Sequence, residues 1–151
     1  MINMQKNPGT TIDSRLSQIT DCLYRVASKA IIIRNNKILL VKEKEGFYGL
    51  PGGGVDYGQT PCESLIREID EEIGFLLKLE QINPKPLFFI TEGLPTKHIP
   101  RASIYYKISV NSSFIPKSNE LSFIWANKDE FSKISLGPTN EYVRDKITNL
   151  L

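Results

Sequence analysis

The sequence predicts a mixed α/β domain, and three observations predict it. β-rich runs stand on both sides of one strongly amphipathic stretch, a second helical stripe closes the chain, and no repeat, low-complexity segment or linker divides it. One domain over residues 1–151 is expected. At 40% hydrophobic content, a chain of this length buries about 68–70% of its unfolded surface without staples.

Residues 1–10, MINMQKNPGT, carry no apolar run and read as a flexible tail. Ile12, Leu16, Ile19 and Leu23 recur at helical spacing and predict an added helix over 12–23. Ala27–Arg34 and Lys37–Glu43 then read as two strands joined at Asn35-Asn36, residues that tolerate the positive φ of a tight hairpin. Ala30–Ile33 and Ile38–Val41 are apolar at consecutive positions, which predicts strands covered on both faces. Lys42-Glu43-Lys44-Glu45-Gly46 is a polar loop; its lysines face either a substrate or, more simply, water.

Gly52, Gly53, Gly54 and Gly58 precede the amphipathic stretch. Thr60 at N-cap, Pro61 at N1 and Glu63 at N3 predict a capping box, and Gly74 predicts the helix stop through a left-handed cap. At about 100° per residue, Cys62, Leu65, Ile66, Ile69 and Ile73 share one arc, and Glu68, Glu71 and Glu72 share another roughly 120° away. The like-charge pairs Glu68/Glu71 and Glu68/Glu72 each cost an isolated helix about 0.2–0.5 kcal/mol, so something must offset them. Arg67 reaches Glu71 at i,i+4, but one guanidinium cannot neutralise three carboxylates. A hard divalent cation can, since Mg²⁺ takes carboxylate oxygens while binding substrate phosphates. A solvated acidic face is the plainer alternative. The glycine loop points instead to the cation, because its backbone at Gly53 and Gly54 can approach a phosphate closely.

After this helix, Phe75–Gln81 predicts a strand, Pro84 and Pro86 interrupt, and Leu87–Glu92 resumes extended structure. Gly93–Arg101 is turn-rich and holds the only histidine, His98, which reads as a surface residue. Ala102–Val110 and Leu121–Trp125 predict further strands around the polar loop Asn111–Asn119. Asn127 with Glu130 can cap a short helix holding Phe131 and Ile134, Gly137-Pro138 breaks it, and Thr139 opens a last helix whose Val143, Ile147 and Leu151 pack on the sheet. A net charge of +2 gives no broad electrostatic case for nucleic-acid or membrane partners, and no apolar run approaches the ~18 residues of a span. Cys22 and Cys62 read as reduced thiols, which suits a cytoplasmic setting.

Residues 48–75 resemble the signature region of the Nudix hydrolase family. Gly53, Arg67, Glu68, Ile69, Glu71, Glu72 and Gly74 stand at the family's spacing, preceded by Tyr48-Gly49-Leu50-Pro51-Gly52-Gly53, similar to the aromatic-x-Leu-Pro-Gly-Gly run common there. Gln59 replaces the first signature Glu and Phe75 the last aliphatic. The resemblance implies the Nudix fold, a mixed sheet sandwiched between helices. It also implies cleavage of the pyrophosphate of a nucleoside diphosphate linked to another group, by water attack on phosphorus. Glu68, Glu71 and Glu72 would ligate Mg²⁺ or Mn²⁺ with the Gly52 carbonyl, and Arg67 would orient the glutamates. Family members often carry a further glutamate before a late strand as the base. Glu120 matches that place, though it reads equally well as an exposed loop acid, and Glu92 is the weaker candidate. Pro138-Thr139-Asn140 resembles the family's Pro-x-Asn lead-in to the last helix, which makes Asn140 a candidate for substrate binding. Phe47, Tyr48, Tyr57, Phe88, Tyr105 and Trp125 are candidates for stacking on a base.

A nucleoside triphosphate or nucleotide sugar is the default substrate, with no nucleic-acid or membrane partner, and the chain is compatible with a homodimer. A silent nucleotide-binding module of the same fold is the alternative that Gln59 favours; a metal-free scaffold would leave the clustered acids unexplained.

Overall fold

A computed structural model describes residues 24–91 and 100–151. The expected tail and helix before residue 24, the acid Glu92 and His98 lie outside the described residues. Six strands, β1 (Arg25–Arg34), β2 (Lys37–Lys42), β3 (Tyr48–Gly49), β4 (Phe88–Thr91), β5 (Arg101–Ile108) and β6 (Phe123–Ala126), join in one mixed sheet. Its order is β3-β2-β1-β5-β4, with β6 also on β2. β1 runs parallel to β5 and antiparallel to β2. Asn35 and Asn36 take φ of 52° and 57°, the positive values that the hairpin requires.

β1 and β2 pair only at the hairpin end, through Ile33↔Ile38 and Arg34↔Lys37. Along the first half of β1 the glycine loop takes the place of β2. Ala30 donates to the Pro51 carbonyl, Ser28 to Gly53, and Val55 to the Val26 carbonyl, each at 2.9 Å. The fork between the two strands is thus filled by the loop that leads into helix α1 (Pro61–Ile73). There Glu63 N donates to Thr60 Oγ1 at 3.2 Å, Thr60 N to Glu63 Oε2 at 2.7 Å, and Gly74 closes the helix at φ 59°.

The strands of the fork are covered on both faces. Leu65, Ile69 and Ile73 of α1 pack on Ala30, Ile32, Leu39, Val41 and Ile108. On the other side Ile31, Ile38, Leu40 and Tyr105 meet Phe131 of α2 (Lys128–Lys133) with Val143 and Ile147 from the C-terminal segment. Cys62 and Ile66 are half-buried at the edge of the first cluster, and Ser64, absent from the expected apolar arc, is buried because its hydroxyl donates to the Gly54 carbonyl at 3.0 Å.

Three expectations are corrected. Phe75–Gln81 is not a strand: β4 pairs the outer edge of β5 only at Ala102–Tyr105, and the stretch beyond is met just past the segment, by the bridge Ile82↔Ile108, after a 3₁₀ turn at Leu79–Gln81. The strand expected at Leu121–Trp125 is displaced to Phe123–Ala126, because Leu121 is held by the carbonyl of Glu72 at the end of α1. The single last helix is two, α3 (Pro138–Glu141) and α4 (Arg144–Thr148). Asn140 is buried facing Leu50 while Val143 and Ile147 face the core, and Arg144 donates to the Phe131 and Ile134 carbonyls at 2.6 Å, which fixes α4 against α2. Among the described residues no helix is long and apolar enough to cross a membrane.

Candidate functional site

Loop and helix are tied at both ends of the glycine run. Gly52 N donates to Glu72 Oε2 at 2.8 Å, and Arg67 Nη2 donates to the Gly54 carbonyl at 3.3 Å. The same guanidinium lies 2.8 Å from Glu68 Oε1, 3.0 Å from Glu71 Oε2 and 3.3 Å from Asp56 Oδ2. Gly53 makes room for the Glu68 carboxylate, since a Cβ there would stand 2.5 Å from its carbon. Above this framework opens a cleft of about 260 Å³, whose charged lining is three carboxylates, Glu43, Glu68 and Glu72, and three cations, Arg25, Lys29 and Arg101. A wider depression of about 500 Å³ beside Leu76 and Lys78 holds none of these groups, so the smaller cleft is the chemically equipped one.

Lys29 is one of the cleft residues the sequence reading missed, with Arg25, Glu43 and Arg101. It is only 6% exposed, and its Nζ donates to the Gly52 carbonyl at 2.5 Å and the Leu50 carbonyl at 3.2 Å. Burial pulls its pKa down; the negative charges of Glu72, Glu43 and Glu68 pull it back up, while Arg101 opposes them. Burial likewise raises the Glu72 carboxyl to about 7, against the attraction of Lys29 and the Gly52 amide, and Glu68 and Glu43 raise it further. The available signal was a lysine at the head of a run predicted to be covered on both faces.

A carboxyl held above its unfolded value favours the protonated native state. Its contribution to stability is complete below the ordinary carboxylate pKa and is lost as the pH rises through about 7. The melting temperature without added cation should therefore fall between pH 5 and 8, and the fall should be shallower in Glu72→Gln. Equal slopes in the two proteins would show that Glu72 titrates normally.

The other expected site residues fall in different places. Glu71 is exposed and held by Arg67, outside the cleft lining. Each of Glu68 and Glu71 is drawn to that guanidinium, and among the described residues no three acids, histidines or cysteines stand together closely enough to hold a metal ion. Glu120 is exposed at the end of α1, its amide donating to the Glu71 carbonyl at 3.3 Å, and it does not line the cleft. Asn140 is buried and accepts from Leu50 N at 3.3 Å; its Nδ2 would lie 2.8 Å from a Cβ on Gly49, where the Glu43 carboxylate also crowds. Of the aromatic candidates, Tyr105 is buried and Phe88 and Trp125 pack against the clusters, while Phe47 and Tyr57 are exposed. Lys42 and Lys44 are exposed, the simpler of the two readings.

The NUDIX domain family model matches residues 23–147. The ADP-ribose pyrophosphatase of Methanocaldococcus jannaschii is 44% identical over 61 residues, covering 38% of this chain and 36% of that protein. The RNA pyrophosphohydrolase of Ruthia magnifica is 37% identical over 79 residues, covering 50% and 44%. The chain spans less than half the length of these two curated relatives. The crystal structure of a MutT NUDIX hydrolase from Burkholderia pseudomallei superposes with a TM-score of 0.68 at 24% identity, covering 82% of this chain and 97% of that one, a likeness of fold.

Proposed function

Because this chain belongs to the Nudix family, we propose that it hydrolyses the pyrophosphate linkage of a nucleoside diphosphate joined to a further group, with Mg²⁺ or Mn²⁺ as cofactor. The observation that carries this reading is the Gly52–Glu72–Lys29 arrangement. A half-buried carboxylate is fixed by a loop amide beside a loop carbonyl that already receives a cationic nitrogen at 2.5 Å. Oxygen donors that seat an ammonium also suit a hard divalent ion. Gly52 O, Glu68 and Glu72 would hold it, joined by Glu71 on release from Arg67, and the bound ion would neutralise charge on the phosphate oxygens.

The chain's own residues do the rest. Gly53 and Gly54 bring bare backbone against the phosphates, and Arg67 fixes the direction of Glu68. Glu43 lines the cleft whereas Glu120 stays outside it, so Glu43 is the residue we assign to accept the proton of the attacking water. The name of one relative, ADP-ribose pyrophosphatase, supports a diphosphate that joins a nucleoside to a sugar.

A panel of nucleoside triphosphates and nucleotide sugars, ADP-ribose included, with Mg²⁺ or Mn²⁺ and read by mononucleotide release, tests the proposal. Release that stops in excess chelator is expected. Binding without release on the whole panel would favour the silent module, the reading to which Gln59 and the outward Glu71 lend support.

Two further outcomes follow. Mg²⁺ should raise the melting temperature, since a ligand that binds only the native state adds RT ln(1 + [L]/Kd), about 2.7 kcal/mol at a hundredfold excess over Kd. An unchanged curve at millimolar Mg²⁺ would return the glutamates to the solvated-face reading. Gln59→Glu should stabilise modestly and change activity little. Gln59 stands just before the N-cap Thr60, where the helix macrodipole favours an anion by about 0.3–1 kcal/mol. A silent parent made active by this one change would refute the hydrolase reading of the natural sequence.

A further inference from the structure

The cleft has a cationic side that the signature does not account for. Arg25 and Arg101 are the first residues of β1 and β5, and the parallel register places them directly opposite each other. Neighbouring strands lie about 4.8 Å apart, so two guanidinium groups leave adjacent backbones on the same face. Both line the cleft with Lys29. The Arg25 guanidinium also lies against the backbone of Gly54: a Cβ there would be 2.8 Å from both Cζ and Nε. Gly54 therefore makes room for an arginine as Gly53 makes room for Glu68.

We infer that Arg25 and Arg101 form a two-guanidinium clamp for a second phosphate of the substrate, apart from the phosphate beside Glu68 and Glu72. Each planar fork can give paired hydrogen bonds to phosphate oxygens, which a lysine cannot reproduce. An oligophosphate running from the Gly52 carbonyl along Gly53 and Gly54 reaches the carboxylate side of the cleft with one phosphate and the arginine side with the next. This inference rests on the pyrophosphohydrolase reading for its substrate, but the clamp itself needs no metal.

The test is calorimetric binding of inorganic pyrophosphate to the full chain in excess chelator. Wild-type protein should bind, and Arg25→Gln and Arg101→Gln should each weaken binding at least about tenfold. Arg25→Lys should recover part of the loss, and Lys44→Gln, in the exposed loop, should match wild type. Melting curves identify any variant that fails to fold, and the other arginine then decides. No binding by wild type, or wild-type affinity in both glutamine variants, overturns the clamp even if the nucleotide panel shows hydrolysis. Arginine-dependent pyrophosphate binding by a protein inert on that panel would instead keep the clamp and remove the hydrolase reading.

Discussion

Glu72→Gln is expected to lower the cation-dependent kcat/KM by about 10²–10³-fold while raising the melting temperature in chelator by a few degrees. The two effects have one cause. An amide oxygen can still accept from Gly52 N, so the loop keeps its shape, but the variant has no charge to hold a cation or to desolvate. Above neutral pH the native protein carries a half-buried carboxylate whose pKa is raised to about 7, and the neutral side chain removes that cost. A variant lacking only a structural hydrogen bond would lose stability instead. Glu71→Gln should cost less activity, since Glu71 is exposed and spends its charge on Arg67. Steady-state kinetics on the preferred nucleotide and melting at pH 8 give both numbers. Retention of rate within about threefold would remove Glu72 from the catalytic centre.

What could be read from the sequence was local. The capping boxes at Thr60 and Asn127, the left-handed stop at Gly74 and the Asn35-Asn36 hairpin depend on residues within one turn of each other, and each formed as its chemistry requires. The acidic arc of α1 was legible for the same reason. What it faces was not. Lys29, Arg25 and Arg101 gain their meaning only when β1 pairs in parallel with β5 and the glycine loop fills the fork beside β1, contacts distant in sequence. Glu43 read as loop charge because nothing near it in the chain announces Asn140, which comes to the same point above Gly49 from the far end of the domain. Phe75–Gln81 shows the converse. Its apolar letters suit a strand, but β4 holds the outer edge of β5 from Ala102 to Tyr105, and the short stretch left beyond is bonded by Gln81–Asn83, where the chain has already turned.

Gly52→Ala should lower the melting temperature by about 5–15 °C and abolish cation-induced stabilisation. Gly52 stands at φ 118°, a conformation that L side chains rarely adopt and that costs of order 1–3 kcal/mol when forced. A Cβ would also collide with the Ser28 carbonyl oxygen and approach Leu65 Cδ1 to 3.0 Å and Lys29 Cα to 3.1 Å. None of these neighbours can yield, because Ser28 and Ala30, on either side of Lys29, bind the loop through Gly53 and Pro51, and Leu65 is fully buried. Overpacking of this kind adds about 1–3 kcal/mol, and each kcal/mol moves the melting temperature of a chain near this length by about 2–4 °C. The chemistry fails with the fold, since the Gly52 amide positions Glu72 and its carbonyl is the seat now held by Lys29. Gly46→Ala is the control: φ is 88° but nothing lies within 4 Å of its Cβ, so it bears the backbone strain alone. Melting curves of both variants, with and without Mg²⁺, separate the contributions. If Gly52→Ala melts no lower than Gly46→Ala and still responds to Mg²⁺, the close approach of loop to strand is not what builds the site.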